Sequence, residues 1–491
     1  MASTADTMDS RESTVRNLLQ IALCAAASVA APAQGPAVET FTTPDGSRFL
    51  LAVDPDAPPL VHWAVGAMHA ADLDPPGALG LSRSVLRASL AGTWQHGSLD
   101  AAAEAKTLEA LDQLLAQTWR DHGHPSEWPE AVSARVEPAR QAVRALGDPN
   151  AWRRAVVSIP ATEPLVVEEG GITVVAVSTA TRSLPRLATL LLDWRENVTL
   201  RSFHDVWQDT VADLAAQSSS PVGRLRREVL GTAFLGSAAA RGIDPRATFV
   251  PSAEARQQFA RVAHPLRTVH VLAGGYDPEE VKALLTKVFR FTMLPTPALP
   301  NAIRPAEARQ RRSVLPSPDG ARGVALAWQL PNDATPVEID AVAALLDGTA
   351  FSFLPRWAAE VGDVTYRVQA PFPRNARPGL ILVEALADGS EAIDALELEK
   401  SLLQHMAALP GELREFQCQQ SGQIAIGRRV LATADLSDLA VSLAVGTLAE
   451  GRSPAEVLGL SDAPGSARVR QLADRIFKSR PGTVVVLGPA Q

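Results

Sequence analysis

Short apolar blocks bounded by turn residues alternate along the chain with longer stretches whose apolar residues recur every three or four positions. The blocks predict strands at 49–53, 60–67, 268–272, 323–330, 380–386 and 483–488. The longer pattern predicts helices at 79–90, 99–119, 184–194, 203–216, 281–289, 336–346 and 392–409. Residues 166–177 read as a hairpin or as a strand interrupted by a glycine turn at Gly170-Gly171. Asp277, with Glu280 three residues on, reads as the N-cap of the helix over 281–289.

This order of elements occurs twice. Prolines 295, 297, 300, 305, 316 and 318 punctuate 291–320, which reads as a linker, with Arg309-Gln310-Arg311-Arg312 as its solvated basic part. After it the pattern restarts. Each copy closes on T-V-x-V-L, at Thr268 to Leu272 and at Thr483 to Leu487. The chain therefore reads as α+β, with two homologous halves at 34–290 and 321–491.

Composition narrows the function. At 491 residues, 46% hydrophobic and 20% charged, the chain is long enough for more than one sizeable core. A net charge of −8 without a basic stripe excludes nucleic acid as the expected partner. Arg11 and Arg16 precede an apolar run over 18–31, and Ala31-Pro32-Ala33 offers a cleavage site. Residues 1–33 thus read as a signal peptide cleaved after Ala33, with an uncleaved anchor or a disordered tail as the alternatives, and the protein as periplasmic or otherwise exported. Cys24 lies inside that signal, so Cys418 is left alone, without an intramolecular disulfide, as a half-buried helix residue. The nine tryptophans are scattered and read as packing.

The segment Gly80-Leu81-Ser82-Arg83-Ser84-Val85-Leu86-Arg87, continuing to Gly92-Thr93, carries the most specific signal. It resembles the zinc helix of the insulinase/pitrilysin family, the inverted zincins, which reads G-L-A-H-x-x-E-H-x-x-x-x-G-T. Thr43-Pro44-Asp45-Gly46-Ser47-Arg48-Phe49-Leu50-Leu51, then Gly66, then Asp74 to Leu81, and Val271 to Val281 resemble further family segments in the same order. Arg83, Leu86 and Arg87 stand where His, Glu and His would bind zinc and activate water. Guanidiniums stay protonated and an isobutyl group has no lone pair, so these three supply neither ligand nor base. The resemblance implies two halves, each a mainly antiparallel sheet packed with helices, forming one half of a clamshell chamber. Between 94 and 165 this chain is much longer than the family pattern and carries an insertion that would cap or fill the chamber.

In active relatives the second half supplies an Arg and a Tyr, seven residues apart, that hold the substrate carbonyl. Tyr366 fits the Tyr, the Arg position is Ala359, and Arg356 is the nearest substitute. The family's downstream Glu ligand would fall in the helix over 203–216, where Asp209 and Asp213 read as a solvated face. None of the nine histidines begins H-x-x-E-H or H-E-x-x-H, and no phosphate loop, nucleophile elbow or C-x-x-C occurs. No cofactor and no metal ligand set is therefore expected. A Ser/His/Asp set assembled only in space stays open.

The leading expectation is a catalytically inactive, insulinase-like pseudopeptidase. It would be the non-catalytic subunit of a heterodimer whose partner bears H-x-x-E-H, and would help to form a peptide-binding chamber. An alternative is a stand-alone homodimer that binds peptides or unfolded polypeptide. A third is an active metallopeptidase with its site relocated to His122 and His124.

Overall fold

The computed structural model describes residues 36–488, apart from 70–72, 76, 124, 126–127, 170, 235–248, 291–310, 350–351, 375, 377–378, 388–392 and 459–461. The signal with its Ala33 cleavage point, His124 and residues 291–310 of the expected linker lie outside the described residues.

The first half begins with three strands, β1 (Ala37–Thr42), β2 (Arg48–Val53) and β3 (Leu60–Met68), and the helix α1 (Leu81–Ser89). Three helices fill the segment 94–165: α2 (Ala101–His122), α3 (Glu130–Leu146) and α4 (Ala151–Ser158). The hairpin β4 (Leu165–Glu169) and β5 (Ile172–Ala180) follows, then α5 (Leu184–Glu196), α6 (Phe203–Ser219), α7 (Pro221–Ala233) and α8 (Ser252–Val262). Strand β6 (Thr268–Gly274) and helix α9 (Pro278–Val288) complete it, and Asp277 caps α9 by accepting from the Glu279 and Glu280 amides.

The second half runs β7 (Arg311–Pro316), β8 (Arg322–Gln329), α10 (Pro336–Asp347), α11 (Phe353–Val361), β9 (Val364–Phe372) and β10 (Leu380–Ala387). It ends with α12 (Ala395–Glu412), α13 (Glu415–Ala432), α14 (Leu436–Leu448), the one-turn α15 (Pro454–Val457), α16 (Ser466–Phe477) and β11 (Thr483–Gly488).

The strand orders are β1-β2-β6-β3-β5-β4 and β7-β11-β8-β10-β9. They show the duplication directly. In each sheet the last strand in sequence lies parallel to one neighbour and antiparallel to the other, β6 between β2 and β3, β11 between β7 and β8. Strand β1 is the addition in the first sheet. The fold is thus α+β with two homologous halves.

Two features depart from the sequence reading. First, β7 occupies part of the expected linker. Its basic residues are not loosely solvated: Arg311 donates to the Thr232 carbonyl at 2.9 Å, and Arg312 forks onto Glu399 at 2.9 and 2.7 Å. Second, the T-V-x-V-L match joins equivalent strands but inequivalent faces. Val269 and Val271 face α14, with Leu272 on the other side, whereas Val485 and Leu487 face α7, with Val484 and Val486 on the other side. A one-residue slip in a strand inverts every side chain, so the shared letters fall on opposite faces.

The halves also exchange a helix. Leu225, Val229 and Ala233 of α7 pack on Ala325, Leu382 and Val485 of the second sheet. Leu439, Leu443 and Ala444 of α14 pack on Ala64, Val174 and Val271 of the first. Gly66 permits the close approach of α14, since a Cβ there would lie 2.9 Å from Leu448 Cδ1 and 3.2 Å from Ala444 Cβ. The opposite face of each sheet carries its own helices over the largest cores, around Trp63, Trp194 and Trp207 in one half and Trp328 and Trp357 in the other. Cys418 sits fully buried in the second of these, deeper than the half-buried position expected. Helices α2 and α3 close a small core of Leu108, Leu111, Leu115, Val136 and Val143.

Candidate functional site

Helix α1 starts where Gly80 takes φ +95°, and a Cβ there would lie 2.5 Å from Leu214 Cδ1, so glycine is required. The Asp74 carboxylate accepts from the Gly80 and Ser82 amides at 2.7 Å each and satisfies the first turn. Leu81, Val85 and Leu86 turn into the first core, so Leu86 is packing and nothing else. Arg83 and Arg87, one turn apart, share the remaining face and reach toward β4.

There they meet Glu168. Period-two alternation turns Val166 and Glu168 to the α1 side of β4, and Val167 and Glu169 to the α14 side. Arg83 Nε and Nη2 donate to Glu168 Oε2 at 3.0 and 2.7 Å. Arg87 Nε donates to Oε1 at 2.6 Å and its Nη2 to Oε2 at 2.7 Å. Burial alone would push the Glu168 carboxyl up; the hydrogen bonds from Arg87 and Arg83 outweigh it and hold the group down at about 2. Asp213 on α6 reaches Arg87 Nη1 at 3.4 Å. It is therefore engaged, not merely solvated as expected, while Asp209 does lie on the exposed face of α6.

His69, just past β3, feels both Glu168 and Arg83. Burial pushes it down to about 4, and its Nε2 has no hydrogen-bond partner. Beyond β4 the charges continue into the second half. Glu169 pairs with Arg374 at 2.6 Å, Arg374 with Glu450 at 3.5 Å, and Arg452 and Arg429 converge on Asp340.

Zinc does not fit this donor set. Two guanidiniums occupy the ligand-bearing face of α1, and each adds positive charge where a dication would need neutral or anionic donors. Among the described residues no three His, Cys, Asp or Glu side chains gather as a metal site. His122 lies exposed in the last turn of α2.

The other sequence candidates are engaged elsewhere. The Tyr366 hydroxyl bonds to Asp347, and burial together with that carboxylate pushes its pKa up. Arg356 pairs with Glu412 at 3.6 Å and lies over the Phe353 ring, 5.0 Å from its centroid. A Ser/His/Asp cluster does assemble in space. Asp112 Oδ1 lies 2.6 Å from His204 Nε2, and the Ser252 hydroxyl donates to Asp112 at 2.8 Å and lies 3.3 Å from the same Nε2. A proton relay needs acid and hydroxyl on opposite ring nitrogens; here both meet Nε2, so the cluster is a staple joining α2 to α6 and α8.

Glu168 is the functional-site residue that sequence reasoning missed. Its signal was present: two carboxylates beside the hairpin turn, one of which alternation must turn toward the helix layer.

No family model matches the chain, and no curated protein matches it by sequence. Solved structures do match. A protease from Helicobacter pylori aligns with a TM-score of 0.68 at 14% identity, over 92% of this chain and 100% of that one. The M16 peptidase inactive domain from Pseudomonas fluorescens aligns at 0.65 and 12%, over 93% and 98%. The chain has the M16 peptidase fold. A putative M16-like peptidase from Alicyclobacillus acidocaldarius aligns at 0.59 and 15%, over 94% and 100%. This is the insulinase-like architecture expected from the α1 frame, here lacking the zinc motif. In this M16 fold Arg83, Leu86 and Arg87 lie together on one helix beside an edge strand, whereas Tyr366 and Arg356 belong to the second half and are tied to Asp347 and Glu412.

Proposed function

We propose that this chain is a catalytically inactive, M16-fold subunit that walls a peptide chamber beside an active zinc-bearing partner. The observation that carries the reading is the replacement of the zinc ligands by an arginine pair locked onto Glu168. A peptidase that merely lost its metal would keep an open, ligand-poor pocket; here both guanidiniums of α1 are held by one carboxylate of the same chain. The Pseudomonas fluorescens neighbour, described as an inactive domain, supports a non-catalytic role. Strand β4 lies at the end of its sheet, next to α1, and an extended peptide can add to such an edge through backbone hydrogen bonds. A cleaved signal over residues 1–33 would carry this chain out of the cytoplasm, and the partner in this reading would be exported as well.

Tagged protein recovered from its native host is expected to bring down an exported chain with intact H-x-x-E-H in near-equal amount, by mass spectrometry. Recovery of the bait alone, as a homodimer, would instead favour a stand-alone peptide-binding protein.

A further inference from the structure

The charge balance around α1 is incomplete on one side. Among the described residues, Glu168 is the one carboxylate that engages both guanidiniums closely. The second acid, Asp213, meets only Arg87 Nη1, at 3.4 Å, and its side chain is 53% exposed. Arg83 Nη1 has no acceptor among the described residues. His69 near pH 7 is neutral, held at about 4 by burial, and adds no charge. Glu169 points to the opposite face of β4 and is occupied by Arg374. The arginine side chains are 15% and 29% exposed, so solvent reaches them. One positive charge thus lacks a firm counter-ion, and Nη1 of each arginine can take a new acceptor. Guanidinium forks suit planar, two-oxygen anions better than point anions.

We propose that Arg83 and Arg87 form a carboxylate-binding site whose ligand is the terminal carboxylate of a peptide lying along β4. The peptide as ligand rests on the reading of β4 as a docking edge; the carboxylate site does not. The incoming carboxylate takes Arg83 Nη1 and displaces Asp213 from Arg87 Nη1. Asp213 returns to water at little cost, because a half-exposed ion pair contributes little. Glu168 stays in place and keeps both guanidiniums aimed. The position where a peptidase would hold metal against a scissile bond becomes one that holds a finished chain end.

The test is a titration of the full chain with N-acetylglycine, followed by the arginine Nε–H NMR signals, with N-acetylglycinamide as the neutral control. The acid is expected to shift the Arg83 and Arg87 signals to saturation and the amide to leave them unmoved. Asp213→Asn, at an exposed position, is expected to tighten acid binding about two- to fivefold by removing the competing carboxylate. Arg87→Gln is expected to weaken it roughly tenfold or more. Equal responses to acid and amide, or unchanged affinity in Asp213→Asn, would overturn the site. Equal binding of the side-chain carboxylate of N-acetylaspartic acid α-amide would overturn the terminal-carboxylate ligand. N-acetylglycine is too short to need β4, so failure here is separate from failure of the proposed function.

Discussion

Glu168→Gln is expected to destabilise the protein by about 3 kcal/mol or more, because it leaves two neighbouring guanidiniums without their shared counter-charge. Glutamine keeps the shape of the side chain and one acceptor, so the loss reports charge and not packing. The same interaction predicts acid sensitivity. The folded-state pKa of Glu168, about 2, lies below its ordinary value of 4.5. A group depressed on folding stabilises the fold fully above its unfolded pKa and loses that contribution as pH falls through the folded value. Stability of about 3 kcal/mol should therefore disappear between roughly pH 4.5 and pH 2. Urea unfolding at pH 7 and pH 3 reads both effects. The wild-type midpoint should fall on acidification more than that of Glu168→Gln, and equal midpoints at pH 7 would show that the arginines do not depend on this carboxylate.

A second large loss is expected at Arg201 and Glu104, the most deeply buried ion pair among the described residues, whose side chains are 3% and 0% exposed. Arg201 Nε lies 2.9 Å from Glu104 Oε1, and its Nη atoms donate to the Asp148 and Thr93 carbonyls at 2.8 and 3.2 Å. One guanidinium thus joins helix α2 to the loops after α1 and α3. Desolvation pushes the Arg201 pKa down, so the pair survives only because each charge answers the other. Gly147 lets them close, since a Cβ there would sit 2.5 Å from Glu104 Oε1. Arg201→Met should cost about 3–5 kcal/mol by leaving a buried carboxylate alone. Adding Glu104→Gln should cost less than the two single changes summed. Hydrogen exchange should show α2 and α3 released first. Additive losses, or protection unchanged in α2, would refute the role of the pair as the anchor of α2 and α3.

Much of this organisation was legible from local pattern. The strands, the hairpin at 170–171, the caps at Asp277 and the frame of α1 all follow from periodicity and turn chemistry, which act within a few residues. The partner of the arginine pair did not follow, because Glu168 is more than eighty residues away and its neighbours are set by sheet pairing. Helix exchange left no mark either. The apolar stripe of α7 states that one face is buried, not against which sheet. Strand β7 was hidden because its first half, Arg311 to Ser313, is polar, and its arginines are held by groups from elsewhere in the fold, Arg311 by the Thr232 carbonyl and Arg312 by Glu399. Asp112 and Glu104 hold α2 in place through buried polar contacts, which hydropathy reads as surface.

The central claim is that the arginine pair has replaced the metal chemistry of the M16 fold in this chain. The most direct measurement is the zinc content of the purified chain after equilibration with zinc and dialysis, read beside its cleavage of an unfolded protein with and without chelator. The account predicts substoichiometric zinc and no chelator-sensitive cleavage. One tightly held zinc per chain, with cleavage that the chelator abolishes, would contradict it.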